Sequence, residues 1–417
     1  HPPHGPLAPA YAIVNPQQDG DESGENDLSG VGVAFRLAEV LLAASQSGAA
    51  LLPQLLELVA IGTIADVVPM SPSNWALVRA GLHQINEAPR AGIRALLAMA
   101  RLRPGDVGAR DISFALAPRI NACGRMGRPD LAMALMLAVD AAEADELARE
   151  VETLNAQRQA ITDEIVAKAR EQAATQIAAR ANVVVTQGDR WPLGVLGLVA
   201  GRLAEEYRRP AFVISRDGLE CRGSARSPVG VDLGAILAAR SELFTRFGGH
   251  ARAAGFTIPT QTLPPLLAYL EAHFAAQDAT GAEIEDGDRQ GLPPVVADCR
   301  LPLRRLIPGS TVYDDLETLE PFGPGFAEPV FLCPGARILG CRRSGVEGRT
   351  LRLRLAHGGV TREFVWSRRG DICDMLRSTP NGLPPMDVAF TLRKYHRSAS
   401  GSAEWLPHIE TLAPAES

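Results

Sequence analysis

The stretch "AAEADELAREVETLNAQRQAITDEIVAKAREQAATQ", residues 141–176, contains neither Gly nor Pro. Leu147, Val151, Leu154, Ile161 and Ile165 recur at intervals that place them on one face of a helix. The spacing predicts one long helix with a single apolar stripe, and Arg158 falls on that stripe, from where it can reach out to solvent. A helix of this length is unusual inside one domain. Residues 138–180 are therefore read as a connecting helix, which divides the 417-residue chain into an earlier and a later part.

Residues 1–137 alternate apolar runs with helical patterns. "AYAIVNP" reads as a strand stopped by proline, "GVGVAFRLAEVLLAAS" and "NWALVRAGLHQIN" as helices, and "LLELVAIGTIADVVP" as an apolar strand ending in Asp66. Such alternation predicts an α/β fold with a mainly parallel sheet. After the connector, "ANVVVTQGDRWPLGVLGLVAGRLAEEYRRPAFVIS" reads as strand, glycine-rich turn, helix and strand, opening a second α/β domain over 181–276. Residues 277–294 are acidic and rich in Gly, Asp and Pro, hence a linker. Over 295–417 short alternating runs, "TLRLRLA", "REFVWS", "MDVAFTLRK" and "EWLPHIETL", predict a small β-barrel of OB type.

Bulk charge excludes little. The formal net charge is -6, yet residues 334–400 carry an excess of Arg and Lys, in "CRRSGVEGRTLRLRL", "WSRRG" and "LRKYHR". This suggests a polyanion-binding face; a solvated arginine-rich surface is the alternative. The six cysteines include no C-x-x-C pair, which argues against a structural zinc site and a disulfide framework and fits a reducing cytoplasm. No apolar run is long enough to cross a bilayer. The opening "HPPHGPLAPAYAIVNP" has no signal-peptide pattern and reads as beginning inside a fold.

Four places could carry chemistry. Asp66, at the carboxyl end of its strand, is placed to hold a divalent cation; a turn or cap aspartate is the other reading. "LAPRINACGRMGRP" joins Arg119, Asn121 and Arg125, whose guanidinium forks suit phosphate oxygens or an ordinary surface. "CRGSARSPVGVDL" sets Gly223, Ser224, Arg226 and Ser227 between a strand and a helix, as a phosphate cradle or a plain turn. "FGGHARAAGF" puts Gly248 and Gly249 before His250. This is either a turn after a helix or a pocket in which the imidazole and bare amides hold an anion.

Taken together, "AIVNP", "SGVGVAFRL", "LVAIGTIADVVP", "LAPRINACGRMG", "GSARS", "GGHARAAGF" and "EPFGPGFAEPVF" occur in the order found in the bacterial RecJ single-strand exonucleases, of the DHH phosphoesterase superfamily. The chain resembles that family over nearly its whole length. The resemblance implies a DHH-type parallel-sheet domain, the connecting helix, a DHH-associated α/β domain and an OB-fold. It also implies a two-metal centre using Mn²⁺ or Mg²⁺, to which His1 and Asp66 correspond as ligands. His1 falls at the second His of the Asp-His-His motif, so the remaining ligands would lie upstream and the metal site is incomplete in these residues.

By the same resemblance Ser224 and Arg226, with the glycines beside them, correspond to a pocket for the nucleic-acid 5′ end. His250 corresponds to the histidine facing the scissile phosphate across an interdomain cleft, and Arg119, Asn121 and Arg125 to a motif lining that cleft. Trp366 and Tyr395 could stack on bases, though core packing suits them better. Phe326-Ala327 stands where relatives often carry Asn-Pro, in a segment read as the entry to the barrel, and Cys123 stands where Ala is common.

The implied activity is metal-dependent 5′→3′ degradation of single-stranded DNA to mononucleotides in recombination and repair. The implied partners are a single-strand-binding protein and a RecQ-type helicase. Hydrolysis of short oligonucleotides or cyclic dinucleotides, and metal-free DNA binding, are the competing readings.

Overall fold

The computed structural model describes residues 7, 9–43, 46–228, 230–279, 295–345, 348–378, 383–396 and 403–415. The stretch without Gly or Pro forms one helix, Ala141–Ala178, of 38 residues, about 57 Å long at the helical rise. Its buried stripe is shifted from the aliphatic pattern toward alanines. Ala144, Ala148, Val151, Ala169 and Ala173 are buried, whereas Leu147 and Leu154 are half-buried. Small side chains bring the neighbouring elements close. The chain divides into two compact units: His1–Pro118, Ala138–Asp145 and Leu292–Ser417 in one, Arg119–Leu137 and Glu146–Gly291 in the other.

The first unit contains helices Gly30–Leu42, Gln46–Ala65, Pro72–Glu87 and Ala91–Met99. Among the described residues no strand precedes Val184. This corrects two readings: "AYAIVNP" has no strand, and the apolar run before Asp66 is helical. Apolar periodicity cannot separate a buried strand from a buried helix in a short window, and here length decides. Val59 and Ala60 lie buried in that helix. Gly81 of the next helix lets its backbone approach, since a Cβ there would meet the Leu56 carbonyl oxygen at 2.2 Å.

The first unit also holds a barrel, accompanied by the short helices Thr311–Leu319 and Cys373–Ser378. Its strands are β6 (Cys299–Arg300), β7 (Phe331–Ser344), β8 (Thr350–His357), β9 (Val360–Trp366), β10 (Met386–His396) and β11 (Ala403–Pro414). They are numbered after the five strands β1 (Val184–Asp189), β2 (Ala211–Asp217), β3 (Glu220–Arg226), β4 (Arg246–His250) and β5 (Ala253–Pro259) of the second unit. The barrel runs β10-β11-β9-β8-β7, and a β10–β7 pairing closes it. Closure leaves no long edge among these five strands. In "TLRLRLA" the pleat sends Leu351, Leu353 and Leu355 into the core and Arg352 and Arg354 outward. Trp366 joins that core, as core packing required, while Tyr395 is 37% exposed and stacks on the His408 ring.

In the second unit the sheet order is β1-β2-β3-β5-β4. β1 and β2 are parallel, joined across helix Leu193–Tyr207, and the other pairs are antiparallel. Alternation along β2 feeds two cores. Ala211 and Val213 pack with Val195, Val199 and Ile165 on one face; Phe212 and Ile214 pack with Leu266 and Phe274 on the other. The linker read at 277–294 lies outside the described residues from 280 onward.

Candidate functional site

In the first unit Asp66 caps the end of helix Gln46–Ala65, its N–H donating to the Gly62 carbonyl at 3.0 Å. It is therefore neither at a strand end nor at a helix N-cap. The next residue, Val67, has φ 58°, a left-handed conformation that a β-branched residue adopts only at a cost. The Asp66 side chain is exposed. A carboxylate at the negative end of a helix is mildly unfavourable by itself, and a cation reverses that.

The loop beyond is pinned by the segment that was read only as an entry to the barrel. The Met70 N–H donates to the Pro324 carbonyl at 2.6 Å, and the Trp75 indole N–H to the Leu319 carbonyl at 3.0 Å. A hollow of about 460 Å³ opens beside this loop, lined by Val67, Phe114, Arg110, Thr391, Arg393 and Glu410 among others. No group of three or more His, Cys, Asp or Glu side chains able to hold a metal occurs among the described residues. His1, the other ligand implied by resemblance, lies outside them, as does His4. The described residues alone do not fit a metal ion.

The second unit gathers most of the other candidates on one sheet face. Gly223, Ser224 and Arg226 belong to β3 itself, not to a turn between strand and helix. Central in the sheet, this strand pairs on both sides, with β2 and with β5. Its amides are thus committed to the ladder rather than open to an anion, and the side chains must do the binding.

Register then aligns them. Arg226 faces Ala253, which faces His250; Ser224 faces Gly255, which faces Gly248; Arg222 faces Thr257, which faces Arg246. Directly opposed residues share a face. Arg226 and His250 therefore look out from the same side, two strands or about 10 Å apart. Ala253, Gly255 and Gly248 make a smooth floor between them. A hollow of about 300 Å³ opens further along the same strands, away from Arg226 and His250, lined by Arg222, Ser224, Arg246, Phe247, Gly255 and Thr257 among others.

"FGGHARAAGF" is thus a β-hairpin rather than a turn after a helix. His250 ends edge strand β4, Ala251 and Arg252 form the turn, and β5 returns. Gly249 sits at φ 146°, where a Cβ would lie 2.2 Å from the Ala253 carbonyl oxygen. The hairpin itself therefore requires a glycine there. Ser227 holds this hairpin: its hydroxyl lies 3.0 Å from the Val231 carbonyl and 3.2 Å from that of Ala251, to which it donates.

A wall rises over the floor from the start of helix Leu193–Tyr207. A Cβ on Gly197 would come within 3.1 Å of an Arg226 terminal nitrogen and 3.2 Å of the Ser224 hydroxyl. Arg125 donates to the Gly194 carbonyl at 2.9 Å. Two glycines three apart at a helix start were the signal for this close approach, and they read as a mere turn in the sequence. Arg119 sits on the same short helix as Arg125, Ala117–Arg125, but grips Glu152 in a bidentate pair at 2.6 and 3.2 Å. Asn121 is exposed on that helix.

Electrostatics single out three guanidiniums. Desolvation draws Arg226 below its ordinary pKa, and repulsion from Arg125 adds to it. Desolvation does the same to Arg125. Arg158, expected to reach solvent, is also drawn down by desolvation and then by Arg125 and Arg202. None of the three makes an ion pair among the described residues. Like charges gathered with no ion pair of their own are stabilised by an anion.

Residues 180–276 match the DHHA1 domain family, and residues 297–401 the RecJ OB domain family. The single-stranded-DNA-specific exonuclease RecJ of Thermus thermophilus is 36% identical over 426 residues, covering 99% of this chain and 59% of that protein. Its Bacillus subtilis namesake is 37% identical over 271 residues, covering 64% and 33%. The crystal structure of RecJ in complex with Mg²⁺ from Thermus thermophilus aligns with a TM-score of 0.72 at 31% identity, over 95% of this chain and 57% of that one. The crystal structure of exonuclease RecJ bound to manganese aligns at 0.53 and 32% identity, over 66% and 67%. The chain belongs to the RecJ family. It spans 33% and 59% of the lengths of the two curated relatives above. The arginine-bearing sheet face lies wholly within the segment matching DHHA1; strands β6 to β10 of the barrel lie within the OB segment and β11 follows it. No helix among the described residues is long and apolar enough to cross a membrane.

Proposed function

We propose that this protein is a metal-dependent exonuclease that degrades single-stranded DNA from its 5′ end to mononucleotides, in recombination and repair in the cytoplasm. The observation that carries this reading is the sheet face on which Ser224, Arg226, Gly248 and His250 align beside Arg125. Its open floor of small residues suits a phosphate backbone. The uncompensated guanidiniums suit the doubly charged terminal phosphate better than an internal one. On this reading Ser224, Arg226 and Arg125 hold the strand's end. A ring N–H of His250 donates to a phosphate oxygen further along, where charge develops on hydrolysis.

Asp66, with His1, is this stretch's contribution to holding Mn²⁺ or Mg²⁺, which when bound supplies charge neutralisation and an activated water. The hollow beside Asp66 mixes apolar walls with balanced charges and suits a nucleobase. Single-strand-binding protein and a RecQ-type helicase are the partners this role implies.

The test uses the complete protein, a long 5′-phosphorylated single strand and Mn²⁺. Asp66→Ala should lower the rate at least about a thousandfold, as expected for removing a ligand of a catalytic metal, while strand binding in EDTA stays within a few-fold. Unchanged turnover in that variant would remove Asp66 from the site.

A further inference from the structure

Arg158 interrupts the buried stripe of helix Ala141–Ala178, between Asn155 and Thr162, both fully or almost fully buried. Asn155 accepts a hydrogen bond from one terminal nitrogen of Arg158 at 2.5 Å, and the Thr162 hydroxyl donates to the Arg158 carbonyl at 2.6 Å. The guanidinium is therefore oriented by its own helix. Its Nε–H is buried, yet it finds no hydrogen-bond partner among the described residues. A buried N–H on a cation is seldom left unmet unless a ligand or water completes it.

The surroundings favour an anion over water. The charges acting on Arg158 are mainly those of Arg125, Arg202 and Arg119, opposed by Asp163. Arg202 is itself paired with Asp163 at 2.5 Å, and Arg119 with Glu152. That leaves Arg125 as the uncompensated neighbour, and Arg125 is also the charge that acts on Arg226. Arg125 thus links the two, one from the long helix and one from β3.

We propose that Arg158 is a third guanidinium of the phosphate site, oriented by Asn155 and donating its Nε–H to the anion held by Arg125 and Arg226. This rests on the reading of that face as the 5′-phosphate site. A planar fork from the helix side would meet oxygens that the strand side cannot reach, which a single arginine on β3 could not do alone.

The experiment compares binding of a single strand carrying a 5′-phosphate with the same strand carrying a 5′-hydroxyl. It uses the complete protein in EDTA and fluorescence anisotropy. The wild type should prefer the phosphorylated strand at least about tenfold, and Arg226→Ala should abolish that preference. Arg158→Met keeps the volume of the side chain and should reduce the preference to about twofold or less, with the hydroxyl strand bound as before. Arg158→Lys keeps the charge without the fork and should fall between, which guards against misfolding of the Met variant.

A purely bracing role would weaken both strands equally, or neither, and would overturn the proposal. A wild-type preference that survives in both Arg158 variants but not in Arg226→Ala would overturn it while leaving the 5′-phosphate site standing. Absence of any preference in the wild type would overturn the reading of the face itself.

Discussion

The barrel and the DHHA1-type unit both carry clustered arginines, in opposite electrostatic settings. On the barrel Arg342 and Arg352 both pair with Glu363, at 3.0 and 2.5 Å; Arg343 pairs with Asp374, and Arg393 with Glu328 and Glu410. Burial pushes the Glu363 carboxyl up, but Arg352 and Arg342 outweigh it and hold the group below its ordinary range. In the other unit Arg125 and Arg158, on helices, and Arg226, on the sheet, have no ion-pair partner among the described residues. The excess of basic residues over 334–400 is therefore a poor guide to the field. Exposed ion pairs are worth about 0–1 kcal/mol and can exchange for phosphates. On the proposed reading the barrel is a weak, adaptable track and the desolvated arginines are the phosphate site.

The largest effect that could break this contrast is on affinity. The double variant Arg125→Ala/Arg226→Ala should bind a 5′-phosphorylated single strand about a hundredfold more weakly in EDTA, about 2.7 kcal/mol. Arg342→Ala/Arg352→Ala should lose about threefold and lower the salt slope by less than about 1 per arginine. Equal losses, read by anisotropy across a salt series, would erase the distinction between the two regions.

A smaller effect sharpens the barrel side. His408 accepts from Arg393 at Nδ1, at 3.0 Å, and lies 3.3 Å from the Ser367 hydroxyl at Nε2. Burial, then Arg393 and Arg110, push its pKa down to about 4. The folded barrel thus binds fewer protons than the unfolded chain between about pH 4 and 6.5, and stability is lost as pH falls through that window. Thermal melts at pH 7 and pH 5 should show wild type losing about 1 kcal/mol more than His408→Gln, a figure discounted for screening. Parallel losses would mean that His408 does not titrate in the fold.

Much of the architecture was legible because local pattern and burial agree. Leu/Arg alternation in "TLRLRLA" marks a half-buried strand, and β8 to β11 all fall where the alternating runs lie. β7 escaped because Pro334, Gly335 and Gly340 interrupt its pattern, with a register shift between Ile338 and Gly340. The helix before Asp66 read as a strand because an apolar run buried on most sides has no visible period.

In the site, Ser224, Arg226 and His250 could be named from the sequence, but not their shared face, which follows from strand register. The engagement of Arg119 by Glu152, 33 residues away, is a tertiary fact with no local signature. Arg158 was visible only as a charge on an apolar stripe. That its Nε is buried follows only from the tertiary packing around it.

The most direct test of the central claim is a crystal structure of the complete protein with a 5′-phosphorylated single-stranded oligonucleotide. The account predicts the terminal phosphate within hydrogen-bonding distance of the Ser224 hydroxyl and the Arg226 guanidinium, over the floor formed by Gly248, Ala253 and Gly255. A strand whose 5′ end lies on any other surface, leaving that face to solvent, would contradict it.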